Sequence, residues 1–179
     1  MSSDRLTPVS YAVLVLVGQG GAGPHDLVRM MRQGRIYESA AESQYYAEPK
    51  RLERLGYLEA RKVPGRTHER THYELTTKAV DALREWIAGR PGHPQLVSDP
   101  ILRLLAADLV GEAPARKSLL QMREEIADLR GRLADADEAA RTLPHREKYL
   151  RLNHRLASRV LDAYEQWLDE IERELDEEA

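Results

Sequence analysis

Residues 43–58 of the chain read SQYYAEPKRLERLGYL. Apolar side chains recur there at the spacing of one helical face, at Tyr45, Pro49, Leu52 and Leu55. The pattern predicts a helix from about residue 40 to residue 55, which Gly56 ends. The other faces of this helix are open to a polar partner and carry Ser43, Gln44, Ala47, Lys50, Arg51 and Arg54.

Pro49 lies inside this predicted helix. A proline in a helix has no backbone N–H to donate, and its ring presses on the carbonyl four residues earlier, here that of Tyr45. We therefore expect a kink or a break near Glu48.

Two helices are predicted before this segment. Thr7 and Pro8 form a helix start, and the following residues up to Val17 are apolar on nearly every side, so this helix must be covered all round. A glycine-rich turn follows, and Pro24 begins a second helix that Gly34 ends.

Two strands and a helix are predicted after it. Residues 57–61 and 72–75 alternate like strands and flank a charged turn at residues 64–70. Thr76 or Thr77 then caps a fourth helix that runs past Ile87. The order helix, helix, helix, strand, turn, strand, helix is that of a winged helix-turn-helix domain.

The second half of the chain has a different pattern. Apolar positions follow steps of three and four from Leu119 to Ala140 and again from Leu150 to Leu175, with Pro144 between the two runs. Two such seams predict a helical hairpin or paired coiled-coil arms. A shorter helix, from Pro100 to about Gly111, precedes them.

Charge divides the chain in the same way. Residues 1–94 have a net charge of +3 and residues 95–179 a net charge of -6, and residues 50–70 alone carry seven basic side chains against three acidic ones. A local basic stripe indicates an anionic partner. The predicted fold is therefore mainly α with a small β-wing: a winged helix-turn-helix domain at residues 1–92 and a helical, coiled-coil-like dimerisation domain at residues 93–179.

Several classes of protein are disfavoured. The chain has no cysteine, which excludes disulfides and thiolate chemistry and fits a reducing cytoplasm. The longest uncharged apolar run, residues 9–17, is too short for a membrane span. The six histidines form no metal-binding or catalytic motif, so we expect no enzyme activity, no metal and no cofactor. We expect His154, on the second seam, to be a packed polar residue.

Residues 43–58 resemble the recognition-helix signature of PadR-like transcriptional regulators, with its Ser, Tyr, Lys-Arg-Leu-Glu and Gly landmarks. The opening LTPVSYAVL at residues 6–14 and the acidic helical half are similar to that family too. Pro49 departs from the family pattern, which usually has an aliphatic residue there, and so does Ala79, where a glycine is usual. The resemblance implies a bacterial, dimeric, ligand-responsive repressor that lacks catalysis.

The residues themselves indicate how such a protein would hold duplex DNA. Hydroxyl and amide groups near the start of the third helix can reach phosphates or base edges, basic side chains one turn later add charge, and the wing tip can reach phosphate or the minor groove. The predicted DNA contacts are Ser43, Gln44, Tyr46, Lys50, Arg51 and Arg66. We interpret Arg54 as a solvated or intrahelical partner.

Two further partners are expected. A homodimer would cover the apolar first helix and the heptad seams, and it would make the operator an inverted repeat. The family resemblance implies control by a small aromatic or drug-like effector in some members. A pocket between the first helix and the C-terminal arms would offer Tyr11, Tyr164 and Trp167, which otherwise pack in the dimer core.

An alternative class of protein stays open. The coiled-coil arms would suit an interaction or scaffold protein whose winged domain contacts protein instead of DNA. Such a protein would have no salt-dependent affinity for duplex DNA.

Overall fold

The structure of the protein, a computed structural model, describes residues 5–33, 42–64, 69–92 and 98–175. The chain forms two compact units, Met1–His93 and Pro94–Ala179. The described residues are mainly helical and include one two-stranded sheet, as the sequence predicts.

The first unit contains α1 (Pro8–Val17), α2 (Pro24–Gln33), α3 (Glu42–Arg54), β1 (Leu58–Val63), β2 (Arg70–Leu75) and α4 (Thr77–Ala88). Its core is built from the inner faces of these elements. The core residues with the least exposed surface include Val13, Leu14, Leu27, Tyr45, Leu52 and Ala79.

α1 begins at Thr7, as predicted. The Thr7 hydroxyl accepts a hydrogen bond from the backbone N–H of Ser10 at 3.2 Å, and the Ser10 hydroxyl accepts one from the N–H of Thr7 at 2.8 Å. These reciprocal bonds satisfy two backbone donors that a helix start leaves unpaired. Pro8 occupies the first turn, and Gly18, with φ of 54°, ends the helix.

β1 and β2 are antiparallel, with Leu58 opposite Leu75 and Val63 opposite Arg70. Both strands are longer than the sequence pattern predicts. Ala22, in the turn between α1 and α2, pairs with Tyr73 of β2 through backbone N–O distances of 3.0 and 2.9 Å. This bridge attaches the wing to the helices.

The break expected near Glu48 is wrong: α3 is continuous through Pro49. Pro49 lies on the same face as Tyr45 and Leu52, and less than 2% of its side-chain surface is exposed. The ring is therefore part of the apolar face that packs in the core, and this packing offsets the missing backbone hydrogen bond.

The second unit contains α5 (Asp99–Leu105), α6 (Ala107–Val110), α7 (Glu112–Leu120), α8 (Met122–Ala140) and α9 (Glu147–Glu174). Its core follows the two predicted seams and is centred on Leu119, Ile126, Leu161, Leu168 and Ile171.

α8 and α9 form an antiparallel hairpin, the first of the two arrangements that the seams predict. Arg130 of α8 donates hydrogen bonds of 2.6 Å to both Asp162 and Glu165 of α9, while the earlier Arg123 reaches the later Asp169 at 2.8 Å. The pairs run in opposite directions along the two helices, so the helices are antiparallel. The two seams face each other, because their residues share one core.

The structure divides two segments that the sequence pattern leaves whole. The helix predicted for the first seam is divided at Gln121 into α7 and α8. The short helix before it is divided at Ala106 into α5 and α6. Both junctions keep right-handed helical backbone angles, so the apolar spacing continues across them without a signal in the sequence.

Candidate nucleic-acid interface

The inner face of α3 fixes which of its side chains point outward. Tyr45, Pro49 and Leu52 are each less than 2% exposed. Since successive residues are turned by about 100° around a helix, Ser43, Lys50 and Arg54 lie together on the opposite side, and all three are exposed. We call Ser43, Ala47, Lys50 and Arg54 the outer face of α3.

Arg54, which the sequence indicates is a solvated or intrahelical partner, is exposed in the structure. It stands four positions after Lys50 on the outer face, and among the described residues no acidic side chain pairs with it. The structure therefore adds Arg54 to the exposed cations of this face.

Tyr46 and Gln44 flank the outer face on either side, and both are exposed. The side chain of Tyr46 is 41% exposed, so the aromatic residue that fills the core is Tyr45 and not Tyr46. The Tyr46 hydroxyl lies 3.4 Å from Nδ1 of His25, and the two rings meet edge to face with centroids 5.8 Å apart. His25, in the first turn of α2, therefore borders the same surface, which the sequence did not indicate.

Arg51 has partners inside the protein. Its guanidinium donates to both carboxylate oxygens of Glu48, at 3.0 and 2.8 Å, and to the hydroxyl of Ser10 at 3.0 Å. Only 23% of its side-chain surface is exposed. The sequence grouped Arg51 with Lys50 as a DNA contact, whereas the structure turns it towards α1.

The C-terminal end of α3 is held by α4. Lys78 donates a hydrogen bond of 2.7 Å to the carbonyl oxygen of Leu55, and its ammonium lies 4.4 Å from the centre of the Tyr57 ring. A cation at this end interacts favourably with the unpaired carbonyls of a helix. The hydroxyl of Thr76, which caps α4, donates to the carbonyl oxygen of Gly56 at 2.8 Å.

Arg66, the predicted wing-tip contact, lies outside the described residues. The strands that lead to the tip carry basic side chains with partners on the protein. Arg61 pairs with Glu74 at 3.1 Å, Arg70 with Asp26 at 3.3 Å, and Lys62 donates to the hydroxyl of Thr71 at 3.3 Å. All three are exposed, so these pairs are screened and weak.

The three aromatic residues expected to bind an effector each have an aromatic neighbour in their own unit. The Tyr11 ring stacks on that of Trp86 in the first unit, with centroids 4.6 Å apart. In the second unit Tyr164 and Trp167 meet edge to face at 6.3 Å. Tyr164 and Trp167 pack against the hairpin core.

Metal sites and membrane spans are absent from the described ranges. No group of three or more histidine and acidic side chains there could hold a metal ion. In the same ranges, no helix is both long and apolar enough to cross a bilayer. His154 is a half-buried seam residue, and its Nδ1 lies 3.2 Å from a carboxylate oxygen of Asp137.

Three helices are followed by a two-stranded wing, and the third of them exposes polar and basic side chains; this order defines a winged helix-turn-helix unit. The long antiparallel hairpin of the second unit completes the fold. Solved structures share this fold over most of their length.

The chain resembles Bacillus subtilis PadR in complex with operator DNA, with a TM-score of 0.72 and 21% sequence identity over 94% of this chain and 96% of that one. PadR in complex with p-coumaric acid matches with a TM-score of 0.63 at 21% identity, over 92% and 95% of the two chains. The Vibrio cholerae virulence activator AphA matches with a TM-score of 0.68 at 21% identity, over 91% and 95%. No protein-family model matches the sequence, and no curated protein matches it. The chain therefore has the fold of PadR-like transcriptional regulators, as its sequence predicts.

Proposed function

We propose that this protein is a PadR-like transcriptional regulator that binds duplex DNA through α3. The observation that carries the proposal is the division of α3 into a buried apolar face and an outer face with two exposed cations, Lys50 and Arg54. A helix of this kind in a winged domain enters the major groove, where its first residues reach base edges and its cations reach phosphates. The DNA complex of PadR, which shares the fold, supports this assignment.

The residues divide by role. Ser43 and Gln44, at the start of α3, are proposed to contact base edges, and Tyr46 with its neighbour His25 to contact phosphate. Lys50 and Arg54 supply phosphate contacts, and Arg66 is proposed to extend them from the wing tip.

A salt titration of affinity for a duplex of about 30 base pairs with random sequence tests these roles. Removing one phosphate contact should reduce the slope of log affinity against log salt by about 0.9. We expect this reduction for Lys50→Gln and Arg54→Gln. The matched control is Lys148→Gln, because Lys148 is also an exposed cation but lies in the second unit.

Two outcomes contradict the proposal. An unchanged slope in both α3 variants would remove α3 from the interface. A wild-type protein with no salt-dependent affinity for duplex DNA would instead favour an interaction or scaffold protein, the other class that the sequence allows.

We infer that the protein acts as a homodimer, with a second copy seated on α9. Tyr149, Leu152, Leu156 and Val160 form a stripe at helical spacing on α9, and their side chains are 65, 47, 57 and 40% exposed. The stripe is turned away from the seam of Ala157 and Leu161, which is buried against α8. A helix with two apolar stripes needs a partner for each of them. Among the described residues, the stripe of Tyr149, Leu152, Leu156 and Val160 has no partner that covers it.

Sedimentation at micromolar concentration tests the dimer. Leu156→Gln should shift the protein to monomer, whereas Arg155→Gln, an exposed neighbour a quarter-turn away, should leave it dimeric. A wild-type monomer would contradict the inference. A dimer with twofold symmetry would read two half-sites about 34–36 Å apart, so the operator would be an inverted repeat.

We propose a repressor that a small aromatic effector releases from DNA. A dimer that covers an operator within a promoter blocks the polymerase, and p-coumaric acid, which PadR binds, is a suitable first probe. Tyr11, Tyr164 and Trp167 remain the proposed contacts, since each combines an aromatic ring with a polar group.

Operator affinity and tryptophan emission test the effector. p-Coumaric acid should lower operator affinity and change tryptophan emission, and Trp167→Leu should weaken both effects. Transcription from the operator-bearing promoter should fall when the protein is added and recover with the acid. A compound that acts equally on Trp167→Leu would contradict this pocket, and a rise in transcription on adding the protein would contradict repression.

A further inference from the structure

A partly buried polar cluster joins α1 to α3. Ser10 of α1 is the one polar residue with 0% exposure in the described core. Its hydroxyl donates a hydrogen bond of 2.6 Å to the carboxylate of Glu48, which belongs to α3. We call Ser10, Glu48 and Arg51 the Ser10 cluster.

The hydrogen-bonding capacity of the Ser10 hydroxyl is used completely. A hydroxyl donates one hydrogen bond and accepts two. Here it donates to Glu48 and accepts from the backbone N–H of Thr7 at 2.8 Å and from the guanidinium of Arg51 at 3.0 Å, and the Thr7 hydroxyl is a fourth neighbour at 3.0 Å. Each bond constrains direction as well as distance, so the start of α1 and the middle of α3 are held in one relative orientation.

Glu48 and Arg51 form a charged pair at this junction. The guanidinium meets both carboxylate oxygens, and the two side chains are only 13 and 23% exposed. Burial raises the pKa of Glu48, but hydrogen bonds from Arg51 and Ser10 and the charge of Arg51 outweigh it, so the pKa lies below its ordinary value. The carboxylate is therefore charged and fully engaged at neutral pH.

The Ser10 cluster lies next to the residues whose direction would change if α3 rotated about its axis. Glu48 precedes Pro49 of the buried face, and Arg51 follows Lys50 of the outer face. Apolar packing alone is non-directional and tolerates small rotations, whereas a saturated hydroxyl and a two-pronged ion pair do not. Pro49 also donates no backbone hydrogen bond to Tyr45, so the orientation of α3 depends more on its side-chain contacts.

We propose that the Ser10 cluster positions α3 for sequence recognition and that Arg51 acts through it and makes no phosphate contact. This inference rests on the proposed DNA-binding function. Ser10, Glu48 and Arg51 are then positioning residues: they set the rotation that brings Ser43 and Gln44 to the base edges, and replacing them reduces specificity more than general affinity for DNA.

The test measures the specificity ratio, which is affinity for an operator selected from a random duplex library divided by affinity for the random duplex itself. Ser10→Ala changes no charge, and Ser10 is fully buried in the core. We expect it to lower the ratio about tenfold and to leave the salt slope on random duplex unchanged. Arg51→Gln should do the same, whereas Lys50→Gln should reduce the slope by about 0.9.

Glu48→Gln keeps the shape and an acceptor for Ser10 but removes the charge, so its ratio should lie between those of wild type and Ser10→Ala. It also keeps the test decisive if Ser10→Ala does not fold, which circular dichroism would show. A merely stabilising role would lower the melting temperature and leave the ratio unchanged.

Two results overturn the proposal. One is a salt slope for Arg51→Gln reduced as much as for Lys50→Gln, which would make Arg51 a phosphate contact. The other is a wild-type specificity ratio in folded Ser10→Ala or Glu48→Gln. A wild-type protein that selects no operator would contradict the proposed function itself and this inference with it.

Discussion

The ring of Tyr11 in α1 stacks almost parallel on the ring of Trp86 in α4, with an angle of 11° between the planes. Trp86 is 49% exposed, so this pair is a surface contact between the first and last helices of the winged unit. α4 also holds the C-terminal end of α3 through Lys78. The stack therefore joins α1 directly to α4, the helix that holds the end of α3.

Trp86→Leu should lower the free energy of unfolding by about 1 kcal/mol, because an aromatic pair contributes about 0.5–1.5 kcal/mol beyond its buried area. Urea unfolding followed by circular dichroism measures the change. Ile87→Ala is the control, since Ile87 is 74% exposed and should cost little. In a double-mutant cycle with Tyr11→Leu, strictly additive effects would show that the stack contributes nothing.

Gly21→Ala should destabilise the winged unit by about 1–3 kcal/mol. Gly21 has φ of +69°, and a Cβ there would overlap the His72 ring and lie 2.7 Å from the carbonyl oxygen of Tyr73. The substitution therefore strains the bridge between Ala22 and Tyr73. Gly20→Ala is a matched control, because a Cβ at Gly20 meets nothing within 4 Å. Equal melting temperatures for the two variants would refute this account.

Leu168→Ala should lower the free energy of unfolding of the hairpin by about 2–5 kcal/mol, the usual cost of removing a buried leucine. Leu168 is 0% exposed at the centre of the second core. Leu109→Ala provides the comparison, because Leu109 is 81% exposed. A similar decrease in stability in both would mean that the seam is not the core of the hairpin.

Asp137→Asn should lower stability at neutral pH and have less effect in acid. The hydrogen bond from His154 lowers the pKa of Asp137 most; burial acts against it, and the charges of Arg151 and Arg141 lower the pKa further. A carboxyl group with a lowered pKa in the folded state stabilises that state above its unfolded pKa, about 4, and the contribution is lost as pH falls through the folded value.

Urea unfolding at several pH values between about 3 and 7 measures this difference. Asp135→Asn controls for the removal of an exposed charge on the same helix. A difference between wild type and Asp137→Asn that is the same at every pH would argue against the pair.

Much of the fold could be predicted because its signals are local. The stripe of Tyr45, Pro49 and Leu52 and the seams of the hairpin follow from the helical period, and residues on them are buried as expected. The helix start at Thr7 depends on side chains within three residues of each other. The same period assigned Ser43 and Lys50 to an exposed face.

The sequence by itself thus determined the order of the main elements, their buried faces and the resemblance to a DNA-binding family, since each is a property of neighbouring residues. Only the tertiary structure decided that Arg51 reaches Ser10, because Ser10 lies 41 residues away and nothing near Arg51 in the chain indicates that hydrogen bond. It also decided that α3 continues through Pro49, because burial of the ring in the core outweighs the missing backbone hydrogen bond. Contacts between distant segments depend on how the helices pack against one another, and a local sequence pattern does not specify that packing.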